Sequence, residues 1–200
     1  MSFERLHPRG RVRRLYVGVY ALNLVLAACG AQPSAGGRGS PPAEAGAGTE
    51  LPAASRIPDG IYTGDIEVSF TLEADGKPTT RTETLPLSLR IVGGRLQTAV
   101  GVDFAIGGTY SQDFNPMFIT ATLSSVWADE NQIVLRFNLN VEVDLGDVRG
   151  DFTGTQTDTL TFFADSGVLE LVRTQYYGGV GSDGTVVTAR STGNADLRQE

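Results

Sequence analysis

Residues 133–145 have the sequence Ile-Val-Leu-Arg-Phe-Asn-Leu-Asn-Val-Glu-Val-Asp-Leu, and this stretch decides the fold class. Every second residue from Ile133 to Leu145 is apolar, and the residues between them, Val134 apart, are polar or charged. Because successive side chains of a β-strand point to opposite faces, this period of two predicts a strand with one buried face. At about 3.3 Å per residue the stretch would span about 43 Å, so we expect it to cross the whole domain.

The same alternation continues on both sides of this strand, and no window after residue 56 has convincing helical periodicity. The joints Asp75-Gly76, Gly93-Gly94 and Ser166-Gly167 can supply the positive φ that tight hairpin turns require. The sequence therefore predicts an all-β fold, either an antiparallel up-and-down β-barrel or a meander sandwich. We expect about eight strands, near residues 60–73, 80–92, 95–106, 117–127, 132–145, 150–164, 167–176 and 184–190.

The first 28 residues have the form of an export signal. Five arginines and one acid precede an apolar run from Leu15 to Ala28, which is shorter than the ~20 residues that a membrane-spanning helix needs. The last three residues of this run and the residue that follows them, Leu26-Ala27-Ala28-Cys29, resemble the lipobox of bacterial lipoproteins. The resemblance implies cleavage before Cys29 and acyl chains, such as palmitate, on this residue. A twin-arginine pair, Arg13-Arg14, leaves the export route open.

Composition divides the rest of the chain. Residues 29–55 comprise Cys29 and a segment dominated by Gly, Ala, Pro and Ser, which cannot bury enough apolar area to fold and should be a disordered linker. Such a linker typically spans about 25 to 30 Å. We expect a lipoprotein signal peptide at 1–28, the all-β domain at 56–192 and a polar tail at 193–200. The protein should lie outside the cytoplasm, anchored to a bacterial outer membrane or cell surface.

Charge and residue usage exclude several classes of function. Five of the 16 basic and one of the 23 acidic residues precede Cys29, so residues 29–200 carry a formal net charge of −11. An acidic chain binds nucleic acid poorly, because phosphate affinity comes from Lys and Arg. The chain's one histidine, His7, lies in the signal segment, and its one cysteine is Cys29. Histidine-based or cysteine-based catalysis and ordinary zinc, copper or haem sites are therefore not expected, and we predict a non-enzyme without cofactors.

Three motifs have simpler explanations than their functional ones. The tetrapeptide at 91–94, Ile-Val-Gly-Gly, resembles the start of mature trypsin-like proteases. Those proteases need a catalytic histidine, which residues 29–200 do not contain, so a hairpin turn at Gly93-Gly94 is the simpler explanation. The segment 179–184 fits G-x-G-x-x-G, but a strand rather than a helix follows it, against the dinucleotide-binding pattern. Oxygen ligands for calcium are offered by Asp144, Asp147 and Asp151, although their spacing is not that of an EF-hand and solvated turn acids are the commoner explanation.

Threonines occupy alternate positions from Thr153 to Thr161 in the stretch 152–162. This spacing puts all five on one side of a strand. The array resembles the TxT surfaces of β-structured ice-binding proteins, but an exposed strand face filled with a good β-former explains it more simply.

Two functions remain open. The tripeptide Gly60-Ile61-Tyr62 resembles the Gly-x-Trp that opens lipocalins, which implies a barrel that binds an apolar small molecule or lipid. The alternative is a structural or interaction lipoprotein whose core is packed and whose surface binds an envelope partner. The aromatic residues that could line a binding site are Tyr62, Phe104, Tyr110, Phe114, Trp127, Phe137, Tyr176 and Tyr177.

Overall fold

The computed structural model describes residues 52–74, 76–97, 104–113, 117–144 and 149–200, and its regular elements are all β-strands. The predicted all-β class is confirmed. The nine strands are β1 (Gly60–Ala74), β2 (Lys77–Val92), β3 (Arg95–Gln97), β4 (Thr109–Asp113), β5 (Met117–Ala128), β6 (Gln132–Asp144), β7 (Arg149–Phe163), β8 (Val168–Val180) and β9 (Val186–Gln199).

All nine strands belong to one antiparallel sheet with the order β3-β2-β1-β9-β8-β7-β6-β5-β4. Apart from the β1–β9 pair, in which Tyr62 lies opposite Gln199, neighbours in this order are also neighbours along the chain. The sheet is therefore an up-and-down meander joined through its first and last strands, and it curls into a half-barrel. Strands β3 and β4 are its two edges within the described residues.

Strand β6 has the alternation that the sequence predicted. Its inward side chains, from Ile133 to Val141, are buried, and Arg136, Asn138 and Asn140 are exposed. Hairpin turns also occur at the glycine-containing pairs where the sequence predicted them. Gly93 and Gly94 have φ of 57° and 70°, and positive φ at both central positions is the geometry whose twist suits a hairpin. Gly76 and Gly167 likewise adopt positive φ.

Three segments differ from the prediction. Strand β4, Thr109–Asp113, was not among the eight expected strands. The strand expected at 95–106 ends at Gln97, and Phe104 to Gly108 lie outside any strand, with Gly107 at φ 79°. The tail expected at 193–200 is instead the second half of β9, which pairs with both β1 and β8. Ala195 and Leu197 are buried there, but the small inward residues of this strand give little hydrophobic alternation.

The concave face of the sheet encloses one hydrophobic cluster. The rings of Tyr62 on β1 and Phe162 on β7 are 6.5 Å apart, although three strand-to-strand steps separate them in the sheet. Phe104 lies between the two edge strands, since its backbone N–H donates to the Leu96 carbonyl on β3 at 3.5 Å and its ring is 4.6 Å from that of Tyr110 on β4. The curl of the sheet is thus stabilised by aromatic contacts across its interior.

The segment before β1 packs against one end of the sheet, which we call the tether end because residues 29–51 precede it. Ala54 and Ile57 are buried, and the Ala54 N–H donates to the Gly94 carbonyl at 2.8 Å. The Arg56 N–H donates to the Glu130 carbonyl at 2.6 Å. The segment therefore contacts the β2–β3 turn and the β5–β6 turn, and residues 164–167 of the β7–β8 turn lie at the same end.

Candidate functional site

A group of five polar side chains is buried inside the half-barrel, on the adjacent strands β7, β8 and β9. We call it the polar cluster, and it comprises Gln156, Asp158, Arg173, Gln175 and Ser191. Strand register brings its members together, because Asp158 lies opposite Arg173 and Gln175 lies opposite both Gln156 and Ser191. Inward-facing positions of neighbouring strands are in contact distance, so these five residues form one unit.

Hydrogen bonds link the whole cluster. The Arg173 guanidinium donates from Nε to Asp158 Oδ1 at 2.7 Å and from Nη2 to Oδ2 at 3.4 Å. Gln156 Nε2 donates to the same carboxylate at 2.6 Å. Gln175 Nε2 donates to Gln156 Oε1 at 2.6 Å, and Ser191 Oγ donates to Gln175 Oε1 at 2.7 Å. The carboxylate is thus held by both its charged partner and an amide.

Both members of the ion pair are fully buried, with 0 % of either side chain exposed. Charges in such surroundings persist only when they are paired and hydrogen-bonded, as these are. The cluster and the nearby inward side chains of Val68, Leu123, Leu135 and Phe137 retain 4 % or less of their accessible surface, and Phe70, which pairs with Ser191, retains 9 %. A cavity wide enough for a ligand would leave accessible surface on its walls, so the described side chains at this level form a packed layer.

Tyr177 on β8 contributes a second unusual buried group. Its hydroxyl is the one buried side-chain polar atom without a hydrogen-bond partner among the described residues. Burial raises the pKa of this phenol. On the paired strand, a Cβ added at Gly154 would collide with the Tyr176 carbonyl oxygen and with the Cα and Cβ of Tyr177, so the glycine is what allows the two strands to approach closely at this point.

A cleft of about 370 Å³ opens at the tether end. Arg56, Asn131, Phe162, Phe163, Ala164, Asp165 and Ser166 line it. Phe162 and Phe163 supply apolar surface, and Arg56, 2.6 Å from the exposed Glu130 carboxylate, supplies a charged edge. The volume of the cleft lies within the ~300–1,000 Å³ that is typical of small-ligand sites, and the cleft is open to solvent, since all of its lining residues except Phe162 are exposed.

Nearby, Tyr62 fixes the entry of the chain into β1. Its hydroxyl donates to the Pro58 carbonyl at 2.8 Å. Burial and, to a smaller extent, the Asp59 charge raise the pKa of this phenol. The Asp59 carboxylate also accepts the Gly93 N–H at 2.7 Å.

The structure separates the aromatic residues that the sequence grouped as a possible binding site. Tyr62, Phe104, Phe137 and Tyr177 belong to the core, and Tyr110 is half-buried beside Phe104. Trp127 and Tyr176 face solvent instead. Phe114 lies outside the described residues, as does the predicted lipidation site, Cys29.

The other motifs also have places in the fold. The five threonines from Thr153 to Thr161 face away from the core, as their spacing predicted. Of the suggested calcium ligands, Asp151 is exposed and Asp147 lies outside the described residues. Within the described ranges, no three His, Cys, Asp or Glu side chains are grouped to hold a metal. The glycine-rich segment 179–184 ends β8 and forms the turn into β9.

Sequence reasoning missed the polar cluster and the cleft. A signal for the cluster was present, since Gln156 and Asp158 alternate with the threonines and must face the core if the threonines face outward. The cleft had no comparable signal because two turns and the segment before β1 build it together.

No model of a known protein family, no curated protein and no solved structure matches this chain. In the part of the chain that the structure describes, there is no helix of the length and apolar character needed to cross a membrane.

Proposed function

We propose that the chain is a lipid-anchored cell-envelope protein that binds a small apolar or amphipathic molecule without transforming it. The observation that carries the binding role is the tether-end cleft, whose volume of about 370 Å³ suits one small ligand. Its phenylalanines would contact the apolar part of such a ligand, and Arg56, Asn131 and Ser166 offer polar contacts at the edge.

The anchor rests on the resemblance of Leu26-Ala27-Ala28-Cys29 to a lipobox. Two or more acyl chains hold a protein to a bilayer firmly, whereas a single myristoyl chain binds only marginally. Cys29→Ser should therefore move the protein from the membrane fraction to the soluble fraction of a bacterial host. Retention of Cys29→Ser in the membrane fraction would contradict the lipoprotein assignment.

A site at the cleft fits the packing better than a site in the middle of the half-barrel. The apolar side chains that pack beside the polar cluster retain 9 % or less of their accessible surface, so a ligand there would have to displace well-packed groups. The residues that line the cleft include no histidine or cysteine, and the hydroxyl of Ser166 donates to the Phe163 carbonyl at 3.3 Å and not to a base, which favours binding over nucleophilic catalysis.

Native mass spectrometry of the protein purified gently from a bacterial envelope tests the binding role. We expect a discrete bound mass of small-molecule or lipid size that denaturation removes. Ala164→Trp should abolish this mass because the indole would fill the cleft, while Thr192→Trp, exposed on β9, should retain it. A bare wild-type mass, or equal adducts on both variants, would refute binding at the cleft.

The packed middle of the half-barrel favours a second candidate function. In this alternative the domain is a rigid interaction module of the envelope, and its partner is another protein. Cross-linking in intact cells followed by purification separates the two proposals. A specific protein adduct together with a bare native mass would favour the interaction module, and a bound small molecule would favour the first proposal.

A further inference from the structure

Four large apolar side chains are exposed around the tether end. We call them the tether-end rim, and they are Ile61 at the start of β1, Val92 at the end of β2, Trp127 near the end of β5 and Phe163 at the end of β7. Between 37 % and 51 % of each residue is accessible. Exposed apolar residues are ordinary when they are single, and five others lie elsewhere on the described surface: Ile106, Phe118, Tyr176, Val180 and Val186. The four of the rim differ from them in bordering the end at which the chain enters the fold.

Strand pairing places all four at the same end. Gly60, next to Ile61, pairs with Ile91, next to Val92. On the far side of the sheet, Gln132 at the start of β6 pairs with Thr161, two residues before Phe163. Trp127 lies opposite Val134 on β6. The rim therefore borders the same turns that build the cleft, and Phe163 belongs to both.

The chain also enters the fold at this end. Ala54 and Arg56 are hydrogen-bonded to the β2–β3 and β5–β6 turns, so residues 30–51 connect Cys29 to the tether end of the sheet. A disordered linker, which the composition of this segment predicts, spans about 25 Å at this length. The acyl chains that the proposed function puts on Cys29 would hold the tether end, and not the opposite end, closest to the bilayer.

We infer that the tether-end rim rests on the bilayer that holds the acyl chains of Cys29, with Trp127 and Phe163 in the headgroup region. This inference rests on the proposed lipid anchor. Tryptophan and phenylalanine favour the membrane interface. A short flexible tether gives an effective concentration in the ~millimolar range, so weak intrinsic affinity is enough for docking. The cleft then opens beside the membrane, within reach of a lipid.

A direct test uses the one cysteine and the one tryptophan of the chain. Protein comprising residues 29–200 is coupled through Cys29 to a maleimide lipid in phosphatidylcholine vesicles, and quenching of Trp127 fluorescence by brominated acyl chains is measured. We expect a shift of the emission to shorter wavelength and marked quenching relative to the unattached protein. An unchanged emission maximum without quenching would overturn the inference.

Matched double variants show whether the rim is responsible. Ile61→Ser with Phe163→Ser removes one aliphatic and one aromatic group from the rim, whereas Val186→Ser with Phe118→Ser removes equivalent exposed groups from the opposite end. Loss of one half-exposed aromatic side chain should lower the affinity of the domain for the bilayer on the order of tenfold. The rim variant should therefore lose quenching and the control should keep it.

Circular dichroism tests whether both double variants fold. If the rim double variant does not fold, the single variant Phe163→Ser takes its place in the quenching measurement. Equal quenching of the rim variant and the control would overturn the inference. Concentration-dependent dimers that bury Trp127 without vesicles would also overturn it, in favour of a second copy of the chain. Because the maleimide lipid replaces natural acylation, a failure of docking here is distinct from failure of the anchor, which the Cys29→Ser fractionation tests.

Discussion

Removing one charge of the buried Asp158–Arg173 pair should destabilise the fold far more than removing both. Of the hydrogen bonds to the Asp158 carboxylate described above, Arg173→Met leaves only the one from Gln156 Nε2, at 2.6 Å. Asp158→Asn leaves a guanidinium that is 0 % exposed without its counter-charge. Each single substitution should lower the free energy of unfolding by about 3–5 kcal/mol, the usual cost of an uncompensated buried charge.

The double variant Asp158→Asn/Arg173→Met removes both charges, and the new amide can still accept from Gln156. We expect it to cost less than ~2 kcal/mol, because neutral replacements of buried ion pairs are often nearly neutral or stabilising. The coupling energy of the cycle should therefore exceed ~3 kcal/mol. Since a domain of this size has a total stability of about 5–15 kcal/mol, the single variants could be largely unfolded while the double variant folds.

Urea unfolding followed by Trp127 fluorescence measures this cycle. The exposed pair Arg56–Glu130 provides the control, since its atoms approach to 2.6 Å, against 2.7 Å in the buried pair, but both of its side chains are more than 60 % exposed. Glu130→Gln should change the free energy of unfolding by no more than ~1 kcal/mol. Additive single-substitution costs, or costs below ~1 kcal/mol at Asp158 and Arg173, would refute the reasoning.

Two further predictions concern stability. Tyr177→Phe should raise the free energy of unfolding by about 1–2 kcal/mol, because it removes a buried hydroxyl without a partner. Burial raises the folded-state pKa of Tyr177 above its unfolded value of 10.0, so above pH 10 wild type should lose about 1.4 kcal/mol per pH unit relative to the variant. Urea unfolding at pH 8 and pH 11 tests both, and a less stable Tyr177→Phe would contradict them. Gly93→Ala should cost ~1–2 kcal/mol from left-handed backbone strain. Gly94→Ala should cost more, because its Cβ would also collide with the Ala54 backbone; equal unfolding midpoints would argue against this packing.

Most of the strands and hairpin turns were predictable because their signals are local, whereas the five-residue β4 has no run of alternating apolar residues. Alternation from Ile133 to Val141 needs only the period of a strand, and Gly93-Gly94 needs only the positive φ of a hairpin turn. The second half of β9 lacked such a signal. Its inward positions include Ser191 and Gly193, so pairing with β1 and β8, which are distant in sequence, makes it a strand.

The cluster and the cleft depend on contacts that sequence alone specifies incompletely. Asp158 meets Arg173 because a four-residue turn, 164–167, separates Phe163 from its partner Val168. A loop one residue longer or shorter would have changed every pairing in the hairpin. The Ser166-Gly167 signal located this turn correctly, but it did not define the length on which the register depends.

The register of β7 gives the buried Asp158–Arg173 ion pair a further role, which is to select one pairing of β7 with its neighbours. Around its centre β7 is polar on both faces, with Thr157 and Thr159 outside and Gln156 and Asp158 inside, so hydrophobicity alone distinguishes the two registers weakly. A charge pair that is satisfied in one register only would supply the missing specificity. The Asp158→Asn/Arg173→Met variant should then fold but show multiple amide resonances along β7 and β8 in a ¹H–¹⁵N spectrum, where wild type shows one set. A single sharp set from the double variant would mean that the turn and the flanking apolar pairs, such as Leu160 opposite Leu171, are sufficient to fix the register.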